Sequence, residues 1–216
     1  MTKKKIADRV IATVGLQDIE PLNEATLVDD WIYQGTIDML ARTRCVARCI
    51  HLGVEPNVDT YTLSPAILSL VDVEDGGRRR RLRRDDETGF TLIRSDVLRI
   101  APTPSEAGEL DVWAVVQPQQ MTDDNDDLGE ETFGAIPLEF QDAITLYALW
   151  QAADYAHEGN SQRGERYRVL YEGQDGRSGR LAQIRHQVNK RGTAFPPMRR
   201  TQLLRNRRTP RSAWID

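Results

Sequence analysis

Residues 136–158 read IPLEFQDAITLYALWQAADYAHE and form the strongest helical pattern of the chain. Pro137 suits a first helical position and Gly159 suits a helix end, so we predict a helix from Pro137 to about Glu158. Its two apolar stripes are Phe140, Ile144, Tyr147, Ala148 and Tyr155, and Leu146, Leu149, Trp150 and Ala153. A surface helix needs only one such stripe. The second must meet another helix of the chain or a neighbouring subunit, and because so small a chain has few spare helices, we predict self-association.

Two helices are predicted near the start of the chain. The first has Thr2 as its N-cap and Gly15 as its C-cap. Its apolar face consists of Ile6, Val10 and Val14. The second begins after Pro21, with Asn23 as its N-cap, and runs to about Arg44. Both patterns are amphipathic, so we expect the two helices to pack on a common core.

A fourth helical pattern spans about Ser161 to Val188. Glycine weakens a helix by about 1 kcal/mol relative to alanine, so we predict a break or bend near Gly173–Gly179. Aromatic residues of this pattern join the second stripe in the predicted subunit interface. The interface residues are Leu146, Leu149, Trp150, Tyr167 and Tyr171.

Residues 45–122 carry short β-type runs separated by turn-forming residues. The runs lie at 66–73, 90–93, 97–100 and 110–116. Apolar runs bounded by Gly, Pro and Asp are typical of strands joined by tight turns. We therefore predict an antiparallel β insertion between the second and third helices.

An acidic loop follows the insertion. Its charged residues are Asp123, Asp124, Asp126, Asp127, Glu130 and Glu131. Their mutual repulsion and the scarcity of apolar residues favour a solvated, mobile connection.

The predicted fold is α+β, mainly helical, with four helices, the β insertion and an extended C-terminal arm. Its segments are an N-terminal helical pair (1–44), a β-rich insertion (45–122), the acidic loop (123–135), a helical hairpin packed on the N-terminal helices (136–189) and a basic arm (190–216).

Charge is distributed unevenly along the 216 residues, of which 39% are hydrophobic and 29% charged, as in a folded globular protein. Residues 1–160 contain 15 Lys and Arg against 29 Asp and Glu, whereas residues 161–216 contain 14 against 4. A cationic end on an acidic body predicts an acidic or polyanionic partner. No run approaches the roughly 18 consecutive apolar residues of a membrane-spanning helix, and the first residues lack a signal-peptide core. We therefore expect neither membrane insertion nor signal-peptide secretion.

Two basic segments are candidate contact sites. The basic contact loop contains Arg78, Arg79, Arg80, Arg81, Arg83 and Arg84. Its arginines are typical either of a solvated hairpin tip beside its own counter-charges or of a surface that binds phosphates or an acidic protein rim. The arm has three prolines and no periodic pattern, and its candidate contact residues are Phe195, Arg199, Arg200, Leu203, Leu204, Arg205, Arg207, Arg208 and Trp214. Burying its few apolar side chains does not offset the entropy cost of ordering its backbone. The arm therefore has to form hydrogen bonds and ion pairs with a partner, order only in part, or act in many copies so that the docking of one helps the next.

Residues suited to catalysis or metal binding are few. The chain has no Gly-rich phosphate loop, nucleophile elbow or Cys-x-x-Cys pair. His51, His157 and His186 lie outside any recognisable nucleophile motif, and His157 suits a helix C-terminus. Cys45, Cys49 and His51 would need a fourth metal ligand that the spacing does not supply, so buried thiols are favoured. We expect no catalytic residue, no metal and no cofactor.

Three stretches together resemble the head-to-tail adaptor proteins of tailed bacteriophages, also called connector or head-completion proteins. They are the strand LDVWAVVQP (110–118), the helix opening IPLEFQDAITLYA (136–148) and the helical stretch RYRVLYE (166–172). The pattern covers about residues 20–190 and is most specific after Pro137. The long β insertion and the basic contact loop depart from the family pattern, so the resemblance does not place that loop.

The resemblance implies a structural virion protein, not an enzyme, assembled in the bacterial cytoplasm and located at the head–tail junction. Family members form a homo-oligomeric ring, usually of twelve subunits, beneath the portal protein. Double-stranded DNA passes through the lumen without sequence-specific contacts, and a C-terminal arm, here the residues from Phe195 to Trp214, binds the portal. A downstream stopper or tail-completion protein is the implied partner on the other side.

The alternative hypothesis is a nucleic-acid-binding protein that uses the basic contact loop and the basic tail, and a third is a hydrolase of unknown type. Nucleic-acid binding predicts that filter binding to duplex DNA weakens steeply as salt rises, because each neutralised phosphate releases condensed counterions. Binding that is insensitive to salt would contradict this alternative, and a flat activity screen would exclude the hydrolase.

Overall fold

A computed structural model describes most of the chain. The described residues are 1–15, 21–64, 66–75, 78–80, 89–156, 162–174 and 178–191. Within them lie five α-helices and two antiparallel sheets, so the fold class is α+β as predicted. No helix in these ranges is both long enough and apolar enough to cross a membrane.

Helix α3 lies at the centre of a helical body. The helices are α1 (Lys3–Val14), α2 (Pro21–Thr43), α3 (Asp142–Ala156), α4 (Gln162–Glu172) and α5 (Arg180–Arg191). Helix α3 packs against α1, α2 and α4, while α5 packs against α2 and α4. Ile144, Ala148 and Ala152 of α3 are fully buried. Both apolar stripes of α3 are therefore largely covered within one chain, and the expectation that the chain lacks helices to cover the second stripe was wrong.

The helix boundaries follow some sequence signals and not others. Gly15 ends α1 in the left-handed conformation with φ 81°, as predicted. Helix α2 begins at Pro21, which places Asn23 inside the first turn, so its assignment as the N-cap was wrong. Pro137 precedes a short 3-10 helix (Leu138–Phe140), and α3 itself begins at Asp142.

The prediction of four helices was wrong, because the fourth pattern forms two separate helices, α4 and α5. Gly173 ends α4 with φ 91°, a conformation that favours glycine. At Gly179, a Cβ atom would lie 2.1 Å from the backbone nitrogen of Gly173 and 2.6 Å from the carbonyl oxygen of Tyr171. Glycine is therefore needed here because the two chain segments approach each other backbone to backbone.

The β insertion lies between α2 and α3, and its described residues form seven strands. They are β1 (Arg48–Val54), β2 (Thr60–Thr62), β3 (Ile67–Asp75), β4 (Arg78–Arg80), β5 (Gly89–Arg94), β6 (Val97–Ala101) and β7 (Gly108–Val116). One antiparallel sheet has the order β1-β7-β3-β4 and the other the order β2-β6-β5.

The insertion has its own hydrophobic core, formed by side chains of both sheets. Val73 and Val112 of the four-stranded sheet and Leu98 and Ile100 of the three-stranded sheet are almost fully buried in it. Side chains alternate along β7, so Asp111 and Trp113 lie on the opposite face from this core. Val115, near the end of β7, joins the helical core instead and thereby connects the two parts.

Replacing Gly179 by alanine tests the backbone contact between α4 and α5. We expect Gly179→Ala to lower the free energy of unfolding by about 3 kcal/mol, the upper end of the usual cost of overpacking, because backbone atoms cannot move aside. Urea unfolding followed by circular dichroism measures the change. Gly108→Ala is the control, since a Cβ there meets no atom within 4 Å. Equal stabilities of the two variants would contradict the contact.

Candidate functional site

The predicted subunit-interface residues fall into two groups. Leu149 and Tyr171 are buried within the single chain, with 3% and 0% of their surface exposed. Leu146, Trp150 and Tyr167 are half-buried and pack against the helical core. Leu149 and Tyr171 are therefore core residues in this conformation, and their assignment to a subunit interface is corrected.

Tyr171 is part of an aromatic cluster that joins α3 to α4. The ring of Tyr147 lies edge-on to the rings of Trp150 and Tyr171, with both centroid separations at 5.5 Å. The Tyr171 hydroxyl donates a hydrogen bond to Asp38 Oδ2 over 2.7 Å. Burial, followed by the negative charge of Asp38, raises the pKa of Tyr171 well above its ordinary value. The phenol therefore stays protonated and acts as a donor that fixes α4 on α2.

Charged side chains reinforce the same helix contacts. Arg42 Nη1 lies 2.6 Å from Glu172 Oε1 and 3.4 Å from Asp38 Oδ2, which links the ends of α2 and α4. Arg180, at the start of α5, lies 2.9 Å from Asp142 Oδ1, at the start of α3. These ion pairs are half-exposed, so their main effect is to fix the geometry of the helix ends.

Exposed apolar side chains are the candidates for contacts with other proteins. Among the described residues, the large hydrophobic side chains with the most exposed surface are Leu138 (74%), Ile93 (53%), Tyr155 (48%) and Leu170 (48%). Tyr155 contacts the ring of Trp31 at a centroid distance of 5.7 Å but keeps half its surface open. Sequence periodicity places Tyr155 in an apolar stripe of the third helical pattern and Leu170 on the inward face of the fourth. Leu170 is half-exposed on α4, so its inward assignment was wrong. Leu138 precedes α3 and belongs to neither set.

Four of the six acids of the acidic loop are exposed, which agrees with the prediction of a solvated connection. The loop is also attached to the N-terminal residues, which the prediction of a mobile connection did not include. The amino group of Met1 lies 2.8 Å from Asp127 Oδ1 and also donates to Gln141. Lys3, which is buried, lies 3.0 Å from Asp29 Oδ2 and 3.6 Å from Asp124 Oδ1. The positive charges of the Met1 amino group and Lys3 therefore offset part of the repulsion among the acids.

Apolar residues at the end of the loop complete this attachment. Leu128 and Ile136 are buried in the helical core, and a backbone bridge joins Thr2 to Asp127. Burial lowers the pKa of Lys3, but its hydrogen bond to Asp29 and the charges of Asp29 and Asp124 outweigh this and raise it. Lys3 thus stays charged although it is buried.

The basic segments lie mostly outside the described residues. The backbone of Arg78, Arg79 and Arg80 forms β4, opposite Asp75, Glu74 and Val73 of β3. The other loop arginines and all the predicted arm contacts fall outside the described ranges. These are Arg81, Arg83 and Arg84, and Phe195, Arg199, Arg200, Leu203, Leu204, Arg205, Arg207, Arg208 and Trp214. His157 also lies outside them.

The cysteines and His51 have different surroundings. Cys45 is buried in the helical core, whereas Cys49 is partly exposed on β1. Cys49 and His51 lie on β1, and His51 Nδ1 is 2.8 Å from Asp111 Oδ1 on β7. Burial, followed by the charge and hydrogen bond of Asp111, raises the pKa of Cys49 to about 11. The spacing in sequence could not show this pairing, because Asp111 is distant along the chain.

The described residues form a helical body with an antiparallel β insertion between α2 and α3. The family model described as SU10 adaptor protein matches residues 1–200. No curated protein matches the chain. The chain therefore belongs to the SU10 adaptor protein family, which confirms the predicted resemblance and makes it a structural adaptor component of a bacteriophage virion. Residues 201–216 lie beyond the match.

Replacing Asp127 tests the attachment of the acidic loop. The hydrogen bond from the Met1 amino group, followed by that from the Gly129 N–H, lowers the pKa of Asp127 below its ordinary value of 3.8. A lowered pKa contributes stability that is complete above the ordinary value and is lost as pH falls through the folded-state value.

We therefore expect Asp127→Asn to reduce the free energy of unfolding at neutral pH and to make it less sensitive to acid. Urea unfolding at neutral pH and at a series of acidic pH values measures both effects. Asp8→Asn, an exposed acid on α1, is the control. The same pH profile for both variants would show that Asp127 does not hold the loop.

Proposed function

We propose that this chain is the subunit of a twelve-membered adaptor ring that binds beneath the portal, extends the DNA channel and connects the capsid to the tail. Membership of the SU10 adaptor protein family is the observation that carries the proposal. The downstream stopper or tail-completion protein is the proposed partner on the opposite side of the ring.

The proposed ring contacts use the outer surface of the helical body. Because other helices of the same chain bury most of α3, a neighbouring subunit has to bind side chains that remain exposed to solvent. Tyr155 and Leu170 are half-exposed, and Leu146, Trp150 and Tyr167 are half-buried beside the core. Burying exposed apolar surface contributes roughly 25 cal/mol per Å² removed from water, which favours association through these residues.

The charge distribution suits a channel for DNA. Residues 1–160 carry 29 acids against 15 basic residues, and acids of the 123–135 loop such as Asp123 and Glu130 are exposed. A lumen with this sign of charge repels phosphates, so DNA slides through it instead of binding. The basic residues are concentrated in the segment that we propose binds the portal.

The arm is proposed to bind the portal through both charge and apolar contacts. Residues 189–211 contain eight basic residues and no acid. The same segment contains the apolar residues Phe195, Leu203 and Leu204. Ordering such a segment costs about 1–2 kcal/mol per residue in backbone entropy, which requires hydrogen bonds and ion pairs with the partner. A ring presents many arms at once, and the docking of one raises the effective concentration of the next.

Charge reversal within the arm tests portal binding in the full-length chain. We expect the triple variant Arg205→Glu, Arg207→Glu, Arg208→Glu to lose portal binding, measured by co-sedimentation with assembled portal, without a change in its unfolding temperature. Deletion of residues 193–216 should have the same effect. The matched control reverses three exposed cations of the folded body, Lys4, Arg9 and Arg94. Retained binding by both arm variants would overturn the proposed role of the arm.

The number of subunits is tested separately. Native mass spectrometry of the portal–adaptor complex should give twelve adaptor chains. A different number would overturn the twelve-membered ring while leaving the adaptor role intact.

A further inference from the structure

The outer face of the four-stranded sheet brings three metal-binding residue types together. Cys49 and His51 alternate along β1, so both point to the same face. The register pairs His51 with Asp111 and Cys49 with Trp113 on β7. The sulfur, imidazole nitrogen and carboxylate oxygen of Cys49, His51 and Asp111 all lie within 4.8 Å of one another.

The contacts within this cluster centre on the carboxylate of Asp111. Its Oδ1 atom is 2.8 Å from His51 Nδ1, and the carboxylate also forms a hydrogen bond with the Cys49 thiol. One carboxylate thus accepts hydrogen bonds from two groups that are themselves metal ligands once their protons are lost. A cation placed between the three would take the position of those protons.

We propose that Cys49, His51 and Asp111 bind a divalent transition metal of the Zn²⁺ class, with water as the fourth ligand. Thiolate and imidazole exclude Mg²⁺ and Ca²⁺, which prefer oxygen ligands alone. Zn²⁺ accepts sulfur, nitrogen and oxygen donors in a tetrahedral site, and a site with three protein ligands keeps one position open. The exposure of His51, at 70% of its side chain, leaves room for that water.

Charge balance favours a divalent ion. The thiolate of Cys49 and the carboxylate of Asp111 carry two negative charges, which a divalent cation neutralises, while His51 coordinates as the neutral imidazole. The Cys49 proton is released to solvent on binding. Glu74, on the neighbouring strand β3, is paired with Asp111 of β7 and adds to the negative potential of this face.

The position of the cluster in the sheet gives the metal a structural effect. Among the described residues, strand β1 lies at the edge of its sheet and pairs with β7 alone. A metal bound by two residues of β1 and one of β7 would join the edge strand to its neighbour. Because the ligands are assembled only in the folded chain, binding would stabilise the folded state.

Titration of the full-length protein with Co²⁺, a spectroscopic substitute for Zn²⁺, tests the site. We expect one equivalent to produce the visible absorption of tetrahedral Co²⁺ together with a thiolate-to-metal charge-transfer band. Excess Zn²⁺ should abolish both, and Zn²⁺ should raise the unfolding temperature. Metal addition in weakly buffered solution should release protons from the Cys49 thiol.

Single substitutions identify the ligands. We expect Cys49→Ser, His51→Gln and Asp111→Asn each to weaken metal affinity by at least about 10-fold. Even the loss of a residue that only hydrogen-bonds to a metal ligand lowers metal affinity by about 10-fold or more. Cys45→Ala and His186→Gln control for the other thiol and another imidazole, and they should leave the titration unchanged. Absence of the charge-transfer band in the native chain, or binding that survives all three ligand substitutions, would overturn the site.

Discussion

The burial of α3 is the constraint on which the helical body depends. A helix with apolar side chains on two sides cannot leave either side in water, so it has to be enclosed. Helices α1, α2 and α4 pack against it, and α5 packs on α2 and α4 and adds Leu181, Ile184 and Val188 to the same core. The position of every other helix is therefore set by where it contacts α3 or a helix that covers it.

Polar contacts then fix the arrangement that burial requires. Tyr171 binds Asp38 and Arg42 binds Glu172, which together hold α4 on α2. The acidic loop connects β7 to α3, and two of its acids, Asp127 and Asp124, pair with the Met1 amino group and with Lys3 of α1. The acidic loop, whose charges repel one another in the sequence, therefore attaches the N-terminal residues to the segment that leads into α3.

The division between a folded body and a basic arm accounts for the proposed adaptor function. The body completes its own cores, one among the helices and one between the sheets. It leaves a few apolar side chains exposed, which we propose contact neighbouring subunits, and the last quarter of the sequence has an excess of basic residues. The cluster of Cys49, His51 and Asp111 lies on the face of the sheet opposite the core of the insertion.

The sequence by itself determined the fold class, the Gly15 helix end, the break before α5 and the family, because these follow from local periodicity, glycine conformation and short motifs. Only the tertiary structure decided what each surface meets. Tyr171 and Leu149 are predicted as interface residues from the sequence, yet both are buried in the helical core of the single chain. Periodicity indicates that a helix face is apolar but not which partner buries it. Asp111 likewise reaches Cys49 and His51 only through strand pairing, and Gly179 is needed because of a backbone approach that no local pattern records.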